Sequence, residues 1–135
     1  MKTTLLAALI AALAAPAESS RLTLTFETGT ATGAVLVSLF DSKAAYEGGA
    51  PVRQARVDVA KGKRSAIFAG LKPGDYAVKA FHDLDGDGRM STNPFGRPIE
   101  PFAFSNNARG NMGPAAWDRA QLKVAGHIAQ TVEIR

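Results

Sequence analysis

The chain contains no cysteine. Thiol nucleophiles, disulfide cross-links and thiolate metal sites are excluded, and any core must hold by packing alone. Histidine is nearly as scarce. The two copies, His82 and His127, stand far apart in sequence, which makes zinc and copper poor occupants of a metal site. There is a single tryptophan, Trp117, with no second aromatic in a pattern beside it. Core packing is its expected role, not sugar stacking. Beyond the N-terminus no apolar run approaches the roughly 20 residues needed to cross a bilayer.

The N-terminus itself reads MKTTLLAALIAALAAPAESS. Lys2 supplies a positive start, an uncharged apolar run of about 11 residues follows from Leu5, and Ala15-Pro16-Ala17 closes it with small residues where a signal peptidase reads. The order predicts a signal peptide over residues 1–17, a cut before Glu18, and export to the periplasm or beyond the cell. The bland alternative is an apolar helix of the folded domain. With 135 residues in all, the remainder of about 118 suffices for one domain over residues 18–135. The net charge of +4 falls by one with Lys2, and the basic residues that remain are scattered. Their one loose cluster, KGKR at 61–64, reads as a solvated turn before it reads as an anionic-surface contact. Export argues against a nucleic-acid partner, and a protein or glycan ligand stays open.

What is there reads as strands and turns. RLTLTFE (21–27) alternates, with Leu22, Leu24 and Phe26 on one face. AVLVSLF (34–40) is continuously apolar and predicts a central strand. SKAAYEGGAP reads as a polar loop. QARVDVA (54–60) turns Ala55, Val57 and Val59 inward, and SAIFAG (65–70) returns after KGKR. LKPGD is a turn, with proline presetting its own backbone angle and glycine tolerating positive φ. YAVKAFHD (76–83) follows, and AQLKVA (120–125) and TVEIR (131–135) complete seven strands. Seven strands with almost no helical periodicity predict an all-β fold, an antiparallel seven-stranded β-sandwich of immunoglobulin-like or prealbumin-like type. Residues 84–117 form one long irregular stretch, which predicts a functional loop or one ordered by something other than its own secondary structure. It holds Pro94, Pro98, Pro101 and Pro114, together with Asn106, Asn107 and Asn111. PAAWDRA is expected to make one helical turn with Trp117 packed beneath the loop.

That stretch opens on DLDGDGRMS, Asp83 to Ser91, which has the D-x-D-x-D-G spacing of a calcium loop. Alternate aspartates in a curled backbone aim their carboxylates at one centre. Asp83, Asp85 and Asp87 are the expected metal ligands, with the carbonyl of Arg89 and with Ser91, directly or through water. Gly88 sits where a Cβ would clash, and Met90 is expected to tuck into the core. Without a cation, three close carboxylates repel and raise one another's pKa, and a hard dication removes that cost. Pro94 stands where a closing bidentate glutamate belongs. Glu100 and Asp118 are the acidic residues that could replace it, and Glu100 is preferred because the loop can fold back. A site left unclosed binds weakly, with Kd of about 10⁻⁴ to 10⁻³ M. The competing explanation is a pair of Asp-Gly turns with solvated carboxylates. His82 reads as a hydrogen-bonded histidine at the rim of the core. Asn106 and Asn107 read as turn formers, with ligand binding as the sharper alternative.

At these residues the chain resembles a known group. The Leu71-x-Pro73-Gly74-x-Tyr76 turn and strand, the His82-Asp83 acidic loop, Phe95-Gly96-x-Pro98-x-Glu100, Phe104-Ser105-Asn106-Asn107 and Pro114-x-x-Trp117-x-x-Ala120 are similar to the bacterial domain-of-unknown-function family 2141, small exported proteins. The resemblance implies no activity, and it implies that Glu100 belongs to the functional set. The turn at 68–76 also resembles that of transthyretin-like and carboxypeptidase-regulatory-like sandwiches, which implies a fold and transfers no function. The leading expectation is a non-catalytic exported domain whose loop is ordered by calcium and presents a binding surface. The alternative is a small envelope hydrolase using the acidic loop and His82. No nucleophile stands at an interpretable spacing from a base.

Overall fold

Alternating apolar residues build the first sheet. In the computed structural model, which describes residues 19–95 and 99–135, β1 (Ser20–Thr28) buries Leu22, Leu24 and Phe26 almost completely. The signal peptide expected over residues 1–17 and its expected cleavage point lie outside the described residues, as do Gly96 and Pro98. The following elements are β2 (Ala34–Phe40), α1 (Lys43–Gly48), β3 (Arg53–Val57), β4 (Ser65–Leu71) and β5 (Gly74–Asp83). Then come β6 (Phe102–Phe104), α2 (Trp117–Ala120), β7 (Leu122–Val124) and β8 (His127–Ile134).

The strands form two sheets. One has the order β4-β1-β8, and the other β3-β2-β5-β6, with β7 paired to the start of β5. Their inner faces share one apolar core. Leu22, Leu24 and Phe26 of β1 meet Val35, Val37 and Leu39 of β2, Val78 of β5 and Val132 and Ile134 of β8. Each such side chain contributes about 1.5–3 kcal/mol by leaving water, which lets the fold stand without cross-links. A second, smaller cluster lies on the outer face of the larger sheet, where Phe40, Tyr46, Ala77, Phe104 and Trp117 pack together.

The fold is all-β with two layers, and it departs from the sequence reading in four places. There are eight strands among the described residues, because the long stretch contributes β6, whose three residues pair with Lys79–Phe81 of β5. The sheets are not wholly antiparallel. β8 runs parallel to β1 in continuous register from Arg21–His127 to Thr28–Ile134. Alternation tells which face a strand buries and carries no information about direction. Here Gly126, at φ 68°, turns the chain from β7 in one sheet to β8 in the other, beside the start of β1. The stretch read as a polar loop is the short helix α1, capped by the Ser42 hydroxyl accepting from the Ala45 amide and anchored by buried Tyr46. Met90 does not enter the core; it is half-buried on the outer face of the larger sheet. The helical turn at Trp117 forms as expected, with the indole edge-on to Tyr46 at 5.8 Å between ring centroids.

The asparagine turn ties the two sheets together. Asn106 and Asn107 take φ of 62° and 51°, a left-handed conformation that asparagine tolerates better than most residues. The Asn107 side chain accepts from the Glu133 amide and donates to the Thr131 carbonyl, both on β8. Asn106 donates to the carbonyls of Arg119 and Gln121 and exchanges hydrogen bonds with Gln130. Beside them the buried Ser105 hydroxyl accepts from the Val78 amide and donates to the Ala120 carbonyl. The sequence suggested bonds to nearby backbone; the partners are instead distant segments, and that clasp holds β6, α2 and β8 in mutual register.

Candidate metal centre

β5 delivers the acidic loop. Its alternation sends Tyr76, Val78, Ala80 and His82 into the core and leaves Asp83 at its end, 1% exposed. His82 is equally buried, with Nε2 bonded to the Thr32 carbonyl. The neighbouring Gly33 lies so close to β5 that a Cβ there would sit 2.3 Å from the Asp83 carbonyl oxygen. The β1–β2 turn therefore backs the start of the loop, and only glycine permits that approach.

From Asp83 the backbone curls around its own carboxylates. Asp83 Oδ1 accepts from the Gly86 amide at 3.0 Å and Oδ2 from the Gly88 amide at 2.9 Å. Asp85 accepts from the Asp87 amide at 3.3 Å and from the Ser91 hydroxyl at 2.8 Å. Asp87 accepts from the Arg89 amide at 2.8 Å. Gly86 and Gly88 adopt φ of 74° and 76°, the positive values that let so short a loop reverse twice.

Glu100 comes back to this loop. Its side chain is 5% exposed, with Oε2 accepting from the Leu84 amide at 2.6 Å and Oε1 from the Ser91 amide at 2.8 Å. One carboxylate thus clamps both ends of the acidic segment. The chain is held beyond the clamp too, since the His82 amide donates to the Pro101 carbonyl at 2.7 Å and β6 follows at once.

Asp83, Asp85, Asp87 and Glu100 each offer a carboxylate oxygen, and the four oxygens lie within 4.8 Å of one another. Of the other sequence-derived candidates, Ser91 stands at the edge of the cluster through its bond to Asp85, and Arg89 contributes its amide to Asp87. Asp118 is exposed in the first turn of α2 and outside the group. The amides of Leu84 and Ser91, which position Glu100, could not be found from sequence, since backbone donors carry no residue-type signal.

The electrostatics are unbalanced. The ion pairs among the described residues are Lys43–Glu47 and Arg56–Asp58, so no lysine or arginine neutralises the four carboxylates. Asp85 titrates below its ordinary value because the Ser91 hydroxyl and then the Asp87 amide stabilise the carboxylate. For Asp87 the Arg89 amide pulls downward, but desolvation and the charges of Asp85 and Asp83 outweigh it and the pKa rises. For Glu100 burial pushes upward, yet the bonds from Ser91 and Leu84 prevail and the carboxyl stays below its usual range. Such a site offers a hard dication several oxygens at one centre. His82 is sealed beneath it.

No curated protein matches the chain. The family described as "Uncharacterized protein conserved in bacteria (DUF2141)" matches residues 27–132, a span that takes in every strand of the larger sheet, the acidic loop and Asn106 and Asn107, with most of β1 outside it. The chain belongs to this bacterial family.

Proposed function

We propose that the protein is an exported, non-catalytic domain of immunoglobulin-like or prealbumin-like sandwich type whose long loop binds calcium through Asp83, Asp85, Asp87 and Glu100. The carbonyl of Arg89 and the hydroxyl of Ser91 complete the ligand set. The observation that carries this reading is the return of buried Glu100 to the aspartates, which supplies the closing carboxylate that Pro94 cannot. Oxygen-only ligands, four negative charges and flexible glycine hinges suit calcium better than a softer or smaller ion. Calcium orders the loop, and the ordered loop presents a surface to a protein or glycan ligand. The hydrolase alternative needs His82 to reach a substrate, and its burial beneath the loop weighs against it.

The test is thermal unfolding in chelator and in calcium. Even at the weak affinity of an unclosed site, a Kd of about 10⁻⁴ to 10⁻³ M, 10 mM calcium is roughly 10 to 100 times Kd and stabilises the fold by about 1.4 to 2.7 kcal/mol, and closure by Glu100 raises that gain. That corresponds to a rise in melting temperature of several degrees. Identical melting curves in chelator and calcium would sink the proposal.

A further inference from the structure

The outer face of the larger sheet carries a second feature, beside the acidic loop. Cross-strand register aligns Leu36 of β2, Phe81 of β5 and Phe102 of β6 in one row. The next row reads Ser38, Lys79 and Phe104. These two rows form the floor of a groove of about 1200 Å³, walled by residues 107–114 and by the end of β8. That volume lies just above the roughly 300–1,000 Å³ typical of small-molecule sites.

The apolar character is concentrated here. Among the described residues the large apolar side chains most exposed to solvent are Val52, Ile67, Leu84, Phe95, Ile99, Phe102 and Met112. Three of them, Phe95, Phe102 and Met112, line this groove, with Met112 97% exposed. An apolar face left in water in this way marks an interaction site.

The charge around it is one-sided. Lys79, Arg109 and Arg135 line the groove against a single acidic side chain, Glu133. None of these three cations takes part in an ion pair among the described residues. The Lys79 ammonium lies 4.3 Å from the centroid of the Tyr46 ring and donates to the Tyr46 carbonyl, which occupies one of its three donors. Burial lowers its pKa, so its charge is incompletely compensated where it stands. Arginine presents a planar fork matched to a carboxylate.

We propose that this groove binds a single-chain amphiphile with a carboxylate head, a fatty-acid anion. Its acyl chain lies along Leu36, Phe81 and Phe102, and its head group meets Lys79, Arg109 and Arg135. The residues named for the acyl chain and the head group lie outside the acidic cluster, while Met90 and Phe95 bring the loop itself to the edge of the groove.

Isothermal titration calorimetry with dodecanoate, kept below its micellar concentration in chelator-containing buffer, tests it. Saturable binding of one dodecanoate per chain is expected. Dodecyl maltoside, which keeps the chain and lacks the charge, is expected to bind at least about tenfold more weakly, and acetate not at all. Phe102→Asp places a repelling carboxylate on an exposed floor position and abolishes binding. The Arg109→Ala/Arg135→Ala double variant weakens it about tenfold or more, again with the melting temperature kept. Absence of dodecanoate binding, equal affinity for the neutral amphiphile, or undiminished binding by a folded Phe102→Asp protein would each overturn the proposal. So would sedimentation showing that a second copy of the chain covers this face.

Discussion

Glu100 carries two separable roles, and replacing it distinguishes them. Its carboxylate accepts from the Leu84 and Ser91 amides at 2.6 and 2.8 Å while 5% exposed. Glu100→Ala strands both donors in a partly buried place, at about 1–3 kcal/mol each, so the metal-free protein should lose roughly 2–5 kcal/mol. Glu100→Gln keeps one acceptor, sets its amide group against the other donor, and relieves repulsion from Asp85; a loss of about 1–2 kcal/mol is expected. Asp85→Asn is the control, because Asp85 is exposed and its partners are the Ser91 hydroxyl and one loop amide. It should cost less than about 1 kcal/mol in chelator. Urea unfolding with and without calcium reads both roles. In chelator the order should be wild type, Asp85→Asn, Glu100→Gln, Glu100→Ala. In calcium the wild type should gain stability and all three variants should gain little. A Glu100→Ala protein as stable as wild type in chelator would refute the clamp. Full calcium stabilisation of Asp85→Asn would refute the ligand role.

Two further predictions concern parts of the fold away from the loop. Burial pushes the Tyr46 phenol up to about 12 from its ordinary value of 10.0, so its contribution to stability is complete below pH 10 and is lost as pH rises from 10 to 12. The loss should be on the order of 1–3 kcal/mol. Lys79, whose lowered pKa has the opposite sign, offsets part of it until pH passes 10.5. Alkaline denaturation followed with phenolate absorbance checks this, and Tyr46→Phe should flatten the profile across that window. Asn107→Ala removes two bonds to β8 and places alanine at φ 51°, for an expected loss of about 2–4 kcal/mol by urea unfolding; Asn107→Gly, free of the conformational strain, should lose measurably less.

How much of this was legible in the sequence depended on the kind of signal. Leu22, Leu24 and Phe26 announced their strand because burial on one face imposes a period of two. The same rule placed Val57 and Val59 inward and His82 at the rim of the core, where the structure buries it fully. The carboxylate spacing of Asp83, Asp85 and Asp87 pointed to one centre, and the length of the loop made the return of Glu100 conceivable. What failed was everything set by distant partners. β6 has three residues, too few for alternation to show, and exists because β5 offers an edge. α1 is six residues long, and Tyr46 is buried there because Phe40 and Trp117 wait on another element. The destination of the Asn106 and Asn107 side chains could not be read at all, since their bonds go to α2 and its end, 13 to 15 positions away, and to β8, 24 to 26 positions away.

The parallel pairing of β1 with β8 has a consequence for how the chain reaches this state. β1 is the middle strand of its sheet, and one whole edge of it is satisfied by residues 106 positions later. A chain emerging N-terminus first therefore holds β1 with an open, apolar, hydrogen-bonding edge until almost all of the domain has been made. Closing so long a loop is entropically costly and slows folding, and no smaller portion can complete the core. The domain should behave as a single all-or-none unit. Removal of β8 should leave an aggregation-prone half-sheet and not a smaller stable fold.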